Sequence, residues 1–72
     1  MQIKLQQLAA DGGHASINEL VDAYENKSTV PGICTNRFCT YTVSVEEYEE
    51  FGWCERCMTP SVASLKILHE RL

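Results

Sequence analysis

Apolar positions in the first 28 residues recur with the period of a helix. Ile3, Leu5, Leu8 and Ala9 form a short apolar pattern that stops at Ala10-Asp-Gly-Gly13, where Gly12 or Gly13 can take the left-handed backbone that ends a helix. A second helix is predicted from Ser16. Ser16-Ile-Asn-Glu19 has the form of a capping box, and Ile17, Leu20, Val21 and Tyr24 follow at helical spacing over about three turns. Asn18, Asp22, Glu25 and Asn26 make its other side a solvated face. The pair outlines a helix-turn-helix, but Glu19, Asp22 and Glu25 on the second helix would repel DNA phosphates.

Beyond residue 28 the period shortens. Val30-Pro-Gly-Ile33 reads as an extended, proline-fixed lead into Cys34. Tyr41, Val43 and Val45 alternate with Thr40, Thr42 and Ser44, the period of a half-buried strand, and Cys39 shares the side of the apolar set. Phe51-Gly-Trp53 brings the chain back, which predicts a hairpin with Glu46-Glu-Tyr-Glu-Glu50 at its tip. Thr59-Pro60 reads as the N-cap and first position of a terminal helix, with Val62, Leu65, Leu68 and Leu72 along one side and Ile67 widening the stripe.

Cysteines change this picture most. Cys34 and Cys39 form one close pair, Cys54 and Cys57 another, with fourteen residues between the pairs. Two residues between Cys54 and Cys57 are too few for most structural disulfides and suit a zinc knuckle, so Cys34, Cys39, Cys54 and Cys57 are predicted to bind one structural Zn²⁺. Iron is accepted by the same four-thiolate set. His14 and His69 lie in a glycine turn and near a helix end, and neither is expected to be a ligand. Four protein ligands leave no open position for an activated water, and no nucleophile-and-base pair or phosphate loop is evident, so no enzyme and no small-molecule substrate are predicted.

With 72 residues, the chain is one domain, 1–72, whose apolar core is marginal without a staple. The expected fold is small α+β: a helical segment over 1–28, then over 29–72 a zinc-ribbon-like β-hairpin between two zinc knuckles with a C-terminal helix. No stretch approaches a membrane span. Met1-Gln-Ile-Lys-Leu-Gln-Gln7 lacks the basic start and apolar run of a signal peptide, which predicts a cytoplasmic protein with reduced thiols. The formal charge is −4, and four thiolates around one Zn²⁺ bring it to about −6. Six cations thinly spread through such a chain disfavour nucleic acid as a partner. Arg37 and Arg56, one inside each knuckle, are expected to offset the charge of the site.

Val30-Pro-Gly-Ile-Cys-Thr-Asn36, Cys39-Thr-Tyr-Thr-Val-Ser-Val-Glu46 and Gly52-Trp-Cys-Glu-Arg-Cys57 resemble a group of short zinc-ribbon-like proteins of bacteria and their phages, most without an assigned function. The resemblance spans about residues 30–68. Two departures stand out: Arg37-Phe38 where a small glycine-containing turn pair is expected, and Met58 where many knuckles have glycine. The expected function is a non-catalytic zinc-binding protein-protein interaction module, an accessory or regulatory factor of a bacterium or phage. Glu46, Glu47, Tyr48, Glu49 and Glu50 are the candidate partner contacts, with Tyr48 as an aromatic anchor. The alternatives are a nucleic-acid-binding zinc ribbon of transcription or replication machinery, and a thiol redox or metal-handling protein suggested by Cys54-Glu-Arg-Cys57. Trp53 and Tyr41 are expected to pack in the core rather than to serve as stacking platforms.

Overall fold

The computed structural model describes residues 2–71. Three helices, α1 (Gln2–Asp11), α2 (Ile17–Ala23) and α3 (Leu65–Glu70), accompany four strands, β1 (Thr29–Cys34), β2 (Thr42–Glu46), β3 (Gly52–Cys54) and β4 (Thr59–Ser64). The fold is small α+β, with an antiparallel sheet in the order β2-β1-β4-β3.

Both N-terminal helices form where the apolar period places them. Gly13, at φ +77°, supplies the left-handed stop after α1. Ser16 caps α2, its Oγ accepting from the Glu19 N–H at 3.2 Å. That helix is shorter than its sequence period implies, because the chain turns at Tyr24. Leu5, Leu8, Ala9 and Leu20 join Val30, Ile33, Ala63, Leu65, Ile67 and Leu68 in the main core, with Ile17, Val21 and Tyr24 packed against it. Ile3 is exposed instead, and Lys4 takes the buried place beside Leu5 and Leu8.

The strands depart from expectation in their pairing. β2 and β3 do not form a hairpin with each other but occupy opposite edges of the sheet. Alternation marks β2 as a strand but carries no information about its partner, and the stretch read as a lead into Cys34 is itself the strand that pairs with it, Pro31 opposite Ser44 and Ile33 opposite Thr42. Pro31 is tolerated because β1 pairs with β4 only over Gly32–Cys34. The sheet is therefore two hairpins side by side, β1-β2 and β3-β4, joined where Ile33 faces Ala63 and Cys34 faces Val62. Gly32 permits that junction: a Cβ there would come within 2.8 Å of the Val45 side chain and 3.0 Å of the Ala63 carbonyl. As an edge strand β2 is mostly exposed, with only Val45 half-buried and Val43 in solvent.

A terminal helix starting at Thr59-Pro60 is also overturned. Residues 59–64 form β4, paired on both sides, and its burial in the sheet outweighs the local cap signal. Ser64 caps the helix instead, accepting from the Ile67 N–H at 3.2 Å, and α3 runs only from Leu65 to Glu70. Leu72, assigned to its apolar stripe, lies outside the described residues.

Candidate metal centre

Each hairpin carries one cysteine pair at its turn. Cys34 ends β1 and Cys39 precedes β2, while Cys54 ends β3 and Cys57 lies in the turn before β4. Because β1 and β4 are neighbours, the two turns meet at one end of the sheet. The four sulfurs lie within 4.8 Å of one another, with 3.8 Å between Cys34 and Cys57 and 3.6 Å between Cys39 and Cys54. Ligands about 2.3 Å from a tetrahedral zinc are separated by about 3.8 Å, so the donor set fits such an ion. Cys34, Cys39 and Cys54 are buried and Cys57 is half-buried. Neither His14, which packs edge-to-face on Tyr24, nor His69, in the last turn of α3, joins the cluster.

The knuckle turns are held by their own backbone. The Cys57 N–H donates to the Cys54 sulfur at 3.3 Å, and the Met58 N–H to the Cys54 carbonyl at 2.8 Å. Met58 has φ +56°, a left-handed position that glycine would occupy more easily. In the first turn the Cys39 N–H donates to the Asn36 carbonyl at 3.2 Å, and the Cys34 N–H to that of Tyr41 at 2.9 Å. Burial, then the Glu55 carboxylate and Cys54, push the Tyr41 phenol up, so Tyr41 feels the second knuckle across the site.

Two residues at the site were not read from the sequence. Lys4 is buried, and its Nζ donates to the carbonyls of Asn36, at 2.6 Å, and of Cys39, clasping the first knuckle from α1. Its sequence signal is faint: Lys4 stands four residues before Leu8 on the buried side of α1, a place masked by counting Ile3 as core. Ser61 is the other. Its Oγ lies 3.1 Å from the Cys34 sulfur, and its carbonyl accepts from the Thr35 N–H and hydroxyl, each at 2.8 Å. Assigning Ser61 to a helix hid this contact. Burial pushes the Cys34 thiol up, but the Ser61 hydroxyl, the Asn36 backbone and the Cys54 and Cys39 side chains outweigh it and bring it down to about 7. Metal ligation requires the thiolate, which this setting favours.

The expected charge balance is differently arranged. Arg37 lies over the Phe38 ring, 5.6 Å from its centroid, and Arg56 reaches Thr40 Oγ1 at 3.5 Å, both in solvent. Lys4 is the cation buried beside the cluster. Trp53 is also exposed, contrary to the expectation that it packs in the core, because β3 is the short outer edge of the sheet; Tyr41 is half-buried against the cysteines.

The acidic run is not a hairpin tip. It links β2 to β3 across the sheet and is tied to the C-terminal segment: Glu47 to Lys66 and Glu50 to Arg71, each at 2.7 Å, with Glu49 Oε1 accepting from the Phe51 N–H at 3.0 Å. Buried Ser64 fastens it further, donating from Oγ to the Glu47 carbonyl at 2.6 Å and from N–H to the Glu49 carbonyl at 2.8 Å. Tyr48 is exposed at its centre. Among the described residues, no helix is long and apolar enough to cross a membrane.

Comparison with protein-family models, curated proteins and solved structures finds no match for this chain. Fold and site together define a small α+β domain whose four clustered cysteines form a candidate metal centre.

Proposed function

We propose that the protein is a non-catalytic, zinc-stabilised interaction module that presents a surface to a protein partner. The observation that carries this reading is the convergence of four sulfurs within 4.8 Å from two hairpin turns. A tetrahedral ion held by Cys34, Cys39, Cys54 and Cys57 has its coordination filled by the chain, so it holds the hairpins together rather than activating water or substrate. Lys4 and Ser61 support the same role, one cation and one hydroxyl placed against a thiolate cluster that is anionic when loaded.

Elemental analysis of the purified protein tests the centre. One zinc per chain is expected, and stoichiometric zinc retained after Cys54→Ser would overturn the ligand assignment. Iron bound by the same thiolates would change the ion and leave the ligands. Affinity capture from the native host with metal-loaded and chelator-stripped protein tests the module, the expected result being a protein held by the loaded form alone.

A further inference from the structure

We propose that the metal end is the docking surface for a short acidic protein segment bearing apolar anchors, held by Phe38, Trp53, Met58, Arg37 and Arg56. This rests on the reading of the chain as an interaction module and assigns the surface.

Three large apolar side chains at this end are in solvent: Phe38 is 91% exposed, Met58 67% and Trp53 52%. Each is the sequence neighbour of a clustered cysteine, and neighbouring Cα atoms are about 3.8 Å apart, so all three belong to the region around the four sulfurs. Such residues stand out on a chain with so small a core. Met58 is the sharper case, because it keeps a large apolar side chain at φ +56° in a turn that glycine would relieve. The turn that the Met58 N–H closes on the Cys54 carbonyl sets that backbone, but nothing within the described residues covers the side chain.

Charge selects the kind of partner. The described ion pairs are Lys66 with Glu47 and Arg71 with Glu50, both at the acidic strap; Arg37 and Arg56 have no carboxylate partner among the described residues. Of the ten acidic residues, Glu55 alone lies within 34–40 or 53–58. A loaded centre adds about −2 at this end, but its sulfurs are buried or half-buried. The guanidiniums of Arg37 and Arg56 are in solvent without a carboxylate among the described residues, so they are the charges a docking segment would touch. Aromatic residues, Met and Arg are the types enriched at protein interfaces, and Glu and Lys are depleted there. Two arginines suit a short acidic segment. A nucleic-acid strand would continue beyond them over a surface of the same sign as its phosphates. The acidic strap is the weaker candidate, since Glu47, Glu49 and Glu50 are already held within the chain.

Trp53 is the chain's single tryptophan and reports on its own surface. The test pans a displayed library of random peptides on the metal-loaded protein, then titrates the selected peptides, and separately a short single-stranded DNA, while following Trp53 emission. The expected peptides combine Asp or Glu with Leu, Ile or Phe and shift the emission to the blue. Arg37→Glu with Arg56→Glu, and separately Phe38→Ala, should each weaken binding about tenfold or more with metal content unchanged. Selected peptides indifferent to both variants would overturn the surface assignment and leave the module reading standing. Selection of no peptide, or of peptides without acidic residues, would overturn the proposed partner chemistry. DNA binding that depends on Phe38, Arg37 and Arg56 would assign the end to nucleic acid and defeat both the inference and the module reading.

Discussion

The two ends of the molecule are stabilised by different means. At the helical end ten buried apolar residues from all three helices, β1 and β4 close around one another, among them Leu5, Leu20, Ile33, Leu65 and Leu68. At the metal end the buried set is Cys34, Cys39, Cys54 and Val62, with Tyr41, Val45 and Cys57 against it. The first can close by excluding water. The second has one aliphatic side chain at its centre and, on the proposed reading, would be closed by a metal on the four sulfurs, which would leave its outward residues free of packing duty. Division of labour of this kind would explain how so short a chain can expose Phe38, Trp53 and Met58 and still fold.

Removing the metal should separate the ends most strongly. Structural zinc contributes on the order of 10–16 kcal/mol in small domains, comparable to the whole stability of a typical fold at about 5–15 kcal/mol. Hydrogen exchange after chelation should show residues 34–57 losing protection before the helices or together with them. Protection that persisted in both hairpins after proven metal loss would show that the metal end has a self-sufficient core.

A cavity at the other end should act in the opposite sense. Leu68→Ala removes a fully buried side chain and should cost about 2–5 kcal/mol in urea unfolding, with the metal retained until the global transition. Early metal loss in that variant would mean that the two ends are not separable.

Lys4 joins the ends, and Lys4→Met keeps much of its stem while leaving the Cys39 carbonyl without its donor and the Asn36 carbonyl with the Cys39 N–H alone. A loss of about 1–3 kcal/mol is expected, read as faster metal transfer to a competing chelator. An unchanged transfer rate would reduce Lys4 to a packing residue of α1. The smallest effect concerns Met58→Gly, which should raise stability by about 1 kcal/mol in thermal or urea unfolding by relieving the left-handed turn. The same change should weaken docking of an acidic peptide, so stability and binding would move in opposite directions.

Legibility in the sequence differs between the ends for a physical reason. Helix period and the Ser16 cap are local signals, and they locate α1 and α2 directly. Cysteine spacing is nearly as local, and the four ligand candidates do converge. Pairing is not local: nothing in Thr42–Glu46 says that its partner is Thr29–Ile33 rather than the Gly-Trp return, so the sequence alone suggests the wrong hairpin. A β2-β3 hairpin would put the acidic run at a tip, whereas in the sheet it links opposite edges. Thr59-Pro60 gave a genuine cap pattern that sheet burial overrode, and Ser61 and Lys4 became visible only once β4 and α1 were set against the first knuckle.

Ser64 carries a consequence for how the chain can vary in length. It is the last residue of β4 and the cap of α3, with no residue between strand and helix, while its hydroxyl and N–H hold the strap at Glu47 and Glu49. One residue inserted between Ser64 and Leu65 would turn the helix by about 100° relative to the sheet and move Leu65 and Leu68 off the core. Insertions should be tolerated at the exposed turn 25–28 after α2 and refused at this junction, so length variants of this fold should keep Ser64 joined directly to Leu65.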